Sequence, residues 1–336
     1  MGTFIIAEIG INHNGDIELA KKMVIAAKSC GVNAVKFQTF KATEFISDPT
    51  LTYTYKSQGK TITESQLDMF TRYEFSIKEW KELFDFCDDI GIDSFTTPQN
   101  ITDLDFILEI KKIDFIKVGS DDLTNLPLLK YCASKKIPMI ISTGMAFEQE
   151  IEDALNIVRN AGCEDISVLH CVSSYPTLPQ NVNMRKMTSI AQRFNVKFGF
   201  SDHTTDYLSA VTAVALGADI IEKHFTLDKS FPGPDHWFSS NAVEMKLLVD
   251  NIRKVEMILG DGKLIPTAEE MEMRKIARRS MVFRKDVKGG KILSDDDFEF
   301  KRPGTGLPPS KISDAIGKKL KYDIEKGTQF GYNMIE

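Results

Sequence analysis

Apolar and polar positions along this chain repeat in a fixed order. Eight short apolar runs occur: FIIAEIG (4–10), AVKFQT (34–39), DSFTTP (93–98), FIKVGS (115–120), PMIISTG (138–144), ISVLHC (166–171), KFGFSDH (197–203) and DIIEKHF (219–225). Each is near-continuously hydrophobic until a polar end, the pattern of parallel strands buried on both faces. Between them lie stretches of helical period, among them IELAKKMVIAAKSC (17–30), SIKEWKELFDFCDDI (76–90) and EQEIEDALNIVRNA (148–161). In the last, Ile151, Leu155 and Val158 recur at helical spacing. This alternation predicts an α/β fold, a (β/α)8 TIM barrel. A doubly wound open sheet is the main competitor, but no GxGxxG follows the first run.

Two regions depart from the alternation. Residues 41–74, with DPTLTYTYKSQGKTITES, are long for a barrel loop and rich in Thr, Tyr and Ser. Such a loop is expected to be a lid or a subunit contact. After Leu259 the helix–strand order stops. GDGKLIPTAEEMEMRKIARRS reads as a charged connector, and SMVFRKDVKGGKIL, FEFKRPGTGLPPSKI and KYDIEKGTQF read as short β pieces with turns. The expected organisation is a barrel domain over 1–262, a linker over 263–279 and a small β-rich domain over 280–336, which at that size needs support from another surface.

Composition narrows the function classes. The chain has 336 residues, 42% hydrophobic and 27% charged, with a formal charge of −6. That balance leaves no basic footprint for nucleic acid, although a pocket in an acidic protein can still be locally basic. Cys30, Cys87, Cys132, Cys163 and Cys171 are odd in number and form no CxxC pair, so all five read as reduced and the chain as cytoplasmic. MGTFIIAEIG lacks a basic n-region and is too short an apolar run for a signal peptide or a membrane span.

In a parallel barrel, side chains at the C-terminal strand ends point into the active site. Here those ends carry Glu8, Lys36, Gln38, Thr97, Lys117, Ser120, Ser142, Ser173, Ser201, His203 and His224. One or two such polar groups in buried strands would be structural accidents, since each costs energy unless paired. A set at equivalent positions points to a site. His203 and His224 end the last two strands, so barrel closure sets them side by side. Either imidazole alone would read as a core group bonded to a backbone carbonyl. The adjacent pair reads as a divalent-metal site with open positions for water or substrate. His170, inside LHC, reads as a core or supporting residue, while His13 and His236 sit on loops as substrate contacts or solvent-exposed groups.

Lys36 and Lys117, each within an apolar strand, require a counter-charge or a shifted pKa. One reading is a Schiff-base nucleophile of aldolase type. The other is a pair of cations holding a phosphorylated or carboxylated substrate, which the hydroxyls of Thr97, Ser120, Ser142 and Ser201 fit better. A plain ion pair with Glu8 or Glu222 is the bland alternative. FPGPDH (231–236) fixes its backbone with two prolines and presents Asp235 beside the histidines. Arg302 lies in the KRPGTG turn, where it either faces solvent or enters another surface's pocket. A non-catalytic sugar-binding protein is a further alternative, though it has no need for these groups to converge.

Taken together, AEIGINHNG, VKFQT, STGM, LHC followed by YPT, GFSDHT, EKHFTLD, PGPD and FKRPGTG occur in this order along essentially the whole chain. They closely resemble the sialic acid synthase family, enzymes making N-acetylneuraminate and its relatives. The resemblance implies a TIM barrel joined to a C-terminal domain similar to type III antifreeze protein (SAF-like), in a domain-swapped homodimer. It implies condensation of phosphoenolpyruvate with an open-chain N-acetylated mannosamine-type sugar, assisted by a divalent metal, Mn2+ or Mg2+, with phosphate leaving by C–O cleavage. By the same resemblance, His203 and His224 are the metal ligands. Lys36, Thr97, Lys117, Ser120, Ser142, Ser173 and Ser201 hold phosphoenolpyruvate. Gln38, Asp122, Tyr175 and Asp235 contact the sugar, Arg302 reaches in from the other subunit, and Glu8 handles protons or water. Ser173 stands where the family often has Asn, and Asp122 where Glu is common. PGPD argues against the pseudaminic acid branch. N-acetylmannosamine, its 6-phosphate and 2,4-diacetamido-2,4,6-trideoxymannose, the legionaminate precursor, all remain candidate sugars.

Overall fold

A computed structural model of the chain describes residues 2–336, which divide into two compact units, the first ending at Gly260 and the second spanning Asp261–Glu336. In the first, the eight apolar runs form the strands β1 (Phe4–Gly10), β2 (Ala34–Thr39), β3 (Asp93–Pro98), β4 (Ile116–Val118), β5 (Met139–Ser142), β6 (Ile166–Cys171), β7 (Lys197–Asp202) and β8 (Ile220–His224). All pair in parallel in the order β3-β2-β1-β8-β7-β6-β5-β4. β8 hydrogen-bonds to β1, so the sheet curls into a barrel with one seam, between β3 and β4. No ladder joins those two strands, and β4 is only three residues long. Phe95 and Phe115, with ring centroids 5.8 Å apart, close the seam by packing instead.

The helices are α1 (Ile17–Ser29), α2 (Ile77–Ile90), α3 (Ile101–Ile110), α4 (Leu126–Ser134), α5 (Glu148–Asn160), α6 (Arg185–Phe194), α7 (Leu208–Ala215) and α8 (Ala242–Leu259). Helix α2 shows how the sequence writes them. Ser76 and Glu79 form a capping box, Gly91 ends the helix at φ 68°, and Trp80, Leu83, Phe84 and Cys87 bury one face against the strands. Full burial of such side chains contributes about 1.5–3 kcal/mol each. In α5 the buried face is Ile151, Ala154, Leu155 and Val158, the stripe its spacing predicts.

Residues 41–74, expected to be a lid or a subunit contact, form ordered secondary structure. A short helix (Ala42–Phe45) leads to an antiparallel hairpin, Thr52–Ser57 against Lys60–Ser65, followed by a helix (Gln66–Thr71). Gln58 (φ 51°) and Gly59 (φ 74°) make the two-residue turn, whose positive φ values match the twist of a tight hairpin. A satellite core of Ile11, Phe40, Met69 and Tyr73, joined by Phe45, Tyr55 and Phe70, packs this insertion onto the barrel.

The second unit opens with a helix (Ala268–Ala277), capped by Thr267 and Glu270, within the stretch read as a connector. Two antiparallel strands follow, β9 (Ser280–Phe283) and β10 (Phe298–Lys301), with 3-10 turns and isolated bridges around a core that includes Met281, Phe283, Phe298, Leu320 and Phe330. All five cysteines are buried and unpaired. Among the described residues no helix is long and apolar enough to cross a membrane.

Candidate functional site

Strand register, more than any loop, assembles the site. Glu8 on β1 lies opposite Lys36 on β2 and His224 on β8; Ser201 on β7 lies opposite Glu222 on β8 and Cys171 on β6; Gln38 on β2 lies opposite Thr97 on β3. Alternation decides which of these face inward. In IIEKH, Glu222 and His224 share the inner face. Lys223 points outward to pair with the equally buried Asp202 at 2.8 Å.

The C-terminal end of the barrel opens into a cavity of about 520 Å³. Of the residues expected from the sequence, Glu8, Lys36, Gln38, Thr97, Lys117, Ser120, Ser142, Ser173, Tyr175, Ser201, His203, His224 and Asp235 all line it. Asp122 does not. Its carboxylate accepts from Asn125 Nδ2 at 2.9 Å, and the neighbouring Asp121 lines the cavity instead. Arg302 lies on an exposed turn of the second unit. A second cavity of similar volume, between α5 and α6, shares Met145, Cys171 and Ser173 but is not lined by Lys36, Lys117, His203 or His224.

At the floor, two ammonium groups and two carboxylates interlock. Lys36 Nζ sits 2.7 Å from Glu8 Oε2 and donates to Thr97 Oγ1 at 2.8 Å. Lys117 Nζ donates to Ser142 Oγ at 2.8 Å and to the Val118 carbonyl at 3.1 Å. Glu222 stands 3.9 Å from each lysine and accepts from Ser201 Oγ at 3.0 Å. Burial and the nearby Glu222 push the Glu8 carboxyl up to about 7 against the pull of Lys36. The two lysines and Ser201 overcome burial at Glu222 and hold its carboxyl below the usual range. Burial lowers Lys117, whereas Glu222 and Glu8 outweigh burial at Lys36 and raise it. Glu222 was read from sequence only as a possible ion-pair partner. Its period-two relation to His224 is the signal that places it in the site.

Beside this floor Gly144 keeps open a small polar cradle. Its N–H donates to Ser120 Oγ at 2.9 Å, and a Cβ at this position would stand 2.3 Å from Ser173 Oγ and 2.8 Å from Ser120 Oγ. A larger residue at this position would displace both hydroxyls. Opposite lie the histidines, ring centroids 5.5 Å apart. His203 Nδ1 donates to the Val172 carbonyl at 2.8 Å, and against burial Cys171 and that carbonyl hold the ring above its usual range; in the neutral ring Nε2 carries the lone pair. His224 is buried, its Nδ1 has no hydrogen-bond partner, and Asp235 Oδ2 stands 3.9 Å away. Burial, then the His203 charge and the lysines, hold His224 well below its usual range, so it is a neutral imidazole.

This donor set fits a divalent metal: two imidazoles, that of His224 held neutral with an orphaned buried nitrogen, and a carboxylate nearby. Among the described residues no group of three or more His, Cys, Asp or Glu is arranged to hold a metal, so substrate or water would complete the coordination. The other histidines are structural. His170 bonds the Val182 carbonyl at 2.7 Å. His13 and His236 are not exposed but fully buried. His13 stacks on Phe75, with centroids 4.2 Å apart, and His236 bonds Thr226 Oγ1 at 2.7 Å.

The NeuB family profile matches residues 23–264, and a SAF domain profile matches residues 278–336. The chain belongs to the NeuB family of sialic acid synthases. It is 40% identical to the N,N'-diacetyllegionaminic acid synthase of Legionella pneumophila, covering 100% of this chain and 95% of that protein. It is 39% identical to the protein of the same name from Campylobacter jejuni, covering 94% and 95%. The crystal structure of N-acetylneuraminic acid synthetase from Leptospira borgpetersenii, in complex with citrate, superposes with a TM-score of 0.73 at 33% identity, over 81% of this chain and 90% of that one. This NeuB-family member is therefore an enzyme of transferase type, with a TIM barrel and a SAF domain.

Proposed function

We infer that the chain condenses phosphoenolpyruvate with the open aldehyde form of an N-acylated mannosamine-type sugar, giving a nine-carbon 2-keto acid and phosphate. One observation carries this reading: a single cavity sets two buried lysines and a ring of hydroxyls against a pair of imidazoles, His203 and His224. A trianion is matched by Lys36, Lys117, Thr97, Ser142, Ser201 and the Ser120–Gly144–Ser173 cradle, because charged donors in a dry site bind phosphate and carboxylate strongly. A divalent cation on His203 and His224, Mn2+ or Mg2+, would polarise the sugar's aldehyde oxygen and stabilise the charge developing there.

The remaining work falls to the chain's own residues. Lys36 and Lys117 hold phosphoenolpyruvate with its C3 toward the sugar, converting an encounter into an oriented attack. Gln38, Tyr175 and Asp235 hold the sugar at the opposite wall. As C3 bonds the aldehyde carbon, the double-bond electrons leave C2 cationic, and a water captures it. Glu8, with its carboxyl near 7, takes that water's proton. The tetrahedral C2 then expels phosphate with its bridging oxygen, the C2 hydroxyl proton leaving with the phosphate as the ketone forms, and the alkoxide made from the aldehyde oxygen takes up the equivalent of the proton held on Glu8.

For the sugar, 2,4-diacetamido-2,4,6-trideoxymannose, the precursor of N,N'-diacetyllegionaminic acid, has the better support. Two relatives near 40% identity carry that product's name. The wall of Ile11, Tyr53, Met69, Phe70 and Pro234 also offers an apolar surface for a 6-deoxy methyl group. N-acetylmannosamine, leading to N-acetylneuraminate, is the second reading, supported by the likeness to the Leptospira protein. Phosphate release measured against these two sugars and N-acetylmannosamine 6-phosphate tests the choice. Faster turnover of the diacetamido sugar, by tenfold or more in kcat/KM, is expected, and preference for either other sugar overturns it. A domain-swapped homodimer in the cytoplasm, with Arg302 serving a neighbouring copy's site, completes the proposal.

A further inference from the structure

The hairpin Thr52–Ser65 is mostly exposed, yet Ser57 at the end of its first strand is buried. The hydroxyl is spent on another part of the chain: Gly233 N–H donates to Ser57 Oγ at 3.1 Å. Neighbouring contacts run the same way. Gln58 Nε2 donates to the Ser230 carbonyl at 3.1 Å, and Lys56 Nζ lies 5.2 Å above the Trp237 ring. The hairpin thus grips the loop 230–237 at three places.

That loop carries Asp235. The carboxylate makes no side-chain hydrogen bond of its own, and its nearest ionisable neighbour, His224 Nδ1, is 3.9 Å away. Its aim is therefore set by the loop backbone. Asn14 Nδ2 holds the Pro232 carbonyl at 2.9 Å, and Ser239 Oγ holds the Asp235 carbonyl at 2.6 Å. Between these ties lies Gly233 at φ 141°, where a Cβ would meet His236 Cδ2 at 3.0 Å and Asn14 Oδ1 at 3.1 Å. The most freely rotating residue of PGPD is thus held by one hydrogen bond from its amide N–H, and the acceptor belongs to the hairpin.

We propose that Ser57 is a positioning residue for the sugar site: it fixes Gly233 and so aims Asp235, making the hairpin a structural wall of that site. The proposal rests on the reading of Asp235 as a sugar contact. Losing the acceptor leaves a buried N–H unpaired and frees the loop, which weakens sugar binding without touching the phosphoenolpyruvate cradle.

The test uses the full-length protein with Ser57→Ala, Ser57→Thr and Asp235→Asn. Trp237 reports the loop directly, because the other tryptophan, Trp80, is 2% exposed. Acrylamide quenching of fluorescence should rise about twofold in Ser57→Ala and return to the wild-type value in Ser57→Thr. Unchanged quenching in Ser57→Ala overturns the proposal whatever the activity. With phosphoenolpyruvate and 2,4-diacetamido-2,4,6-trideoxymannose or N-acetylmannosamine, the sugar KM should rise about tenfold in Ser57→Ala while the phosphoenolpyruvate KM stays constant. A rise in the sugar KM for Asp235→Asn alone, with none for Ser57→Ala, keeps the reading of Asp235 and sinks the role of Ser57. No rise for Asp235→Asn removes the reading itself, and equal rises in both KM values reduce Ser57 to a structural residue.

Discussion

His203 and His224 differ in one respect that matters: His203 Nδ1 is committed to the Val172 carbonyl, whereas His224 Nδ1 is buried with no partner at all. An unpaired buried polar atom costs about 1–3 kcal/mol, a cost relieved once a ligand occupies it. His203→Ala and His224→Ala are each expected to weaken Mn2+ affinity at least a hundredfold, by calorimetric titration, and to lose turnover in parallel. Wild-type activity in either variant after chelator treatment contradicts the assignment.

Glu8 supplies a pH signature. Its carboxyl, raised to about 7 by burial, must be ionised to accept a proton from water. In wild type kcat/KM should therefore rise through an apparent pKa near 7. Glu8→Gln should lower kcat by about a hundred- to ten-thousandfold, the usual reach of general base catalysis, and abolish that limb. A Glu8→Gln enzyme with the same limb assigns it to another group.

The eight strands were legible because parallel strands buried on both faces leave an uninterrupted apolar trace, and their polar ends mark one layer of the barrel. The hairpin was less so. TYTYKS alternates Thr with Tyr and TITES has a single aliphatic residue, Ile62, so no apolar face marks the period, although the SQGK turn between them is a hairpin signal. Glu222 was recoverable by counting two residues back from His224. Asp121 was not, since after β4 no periodicity tells which of two adjacent loop carboxylates faces the cavity. His13 and His236 were misplaced for the same reason: INHNG and PGPDH look like surface turns, and only the stacking on Phe75 and the bond to Thr226 reveal their burial.

Those two histidines link stability to acid. Burial pushes His13 down to about 3 and His236 to about 4, below the unfolded value near 6.5. The unfolded chain thus binds more protons between these limits, and the contribution of both groups, complete above pH 6.5, is lost as pH falls. Glu8 and Asp235, whose carboxyls are raised to about 7 and 6, act in the opposite direction, so the comparison is made between variants. In urea unfolding, wild type should lose roughly 1–2 kcal/mol relative to His13→Gln between pH 7 and pH 5. Parallel stability curves over that range contradict the buried neutral state.

The most direct test of the condensation follows one oxygen atom. Phosphoenolpyruvate carrying 18O at the bridge between C2 and phosphorus is turned over with the preferred sugar, and the released phosphate is read by 31P NMR. Attack of water at C2 beside Glu8 predicts that the label leaves in phosphate. Unlabelled phosphate, with the 18O retained in the sugar acid, would mean P–O cleavage and would contradict the account.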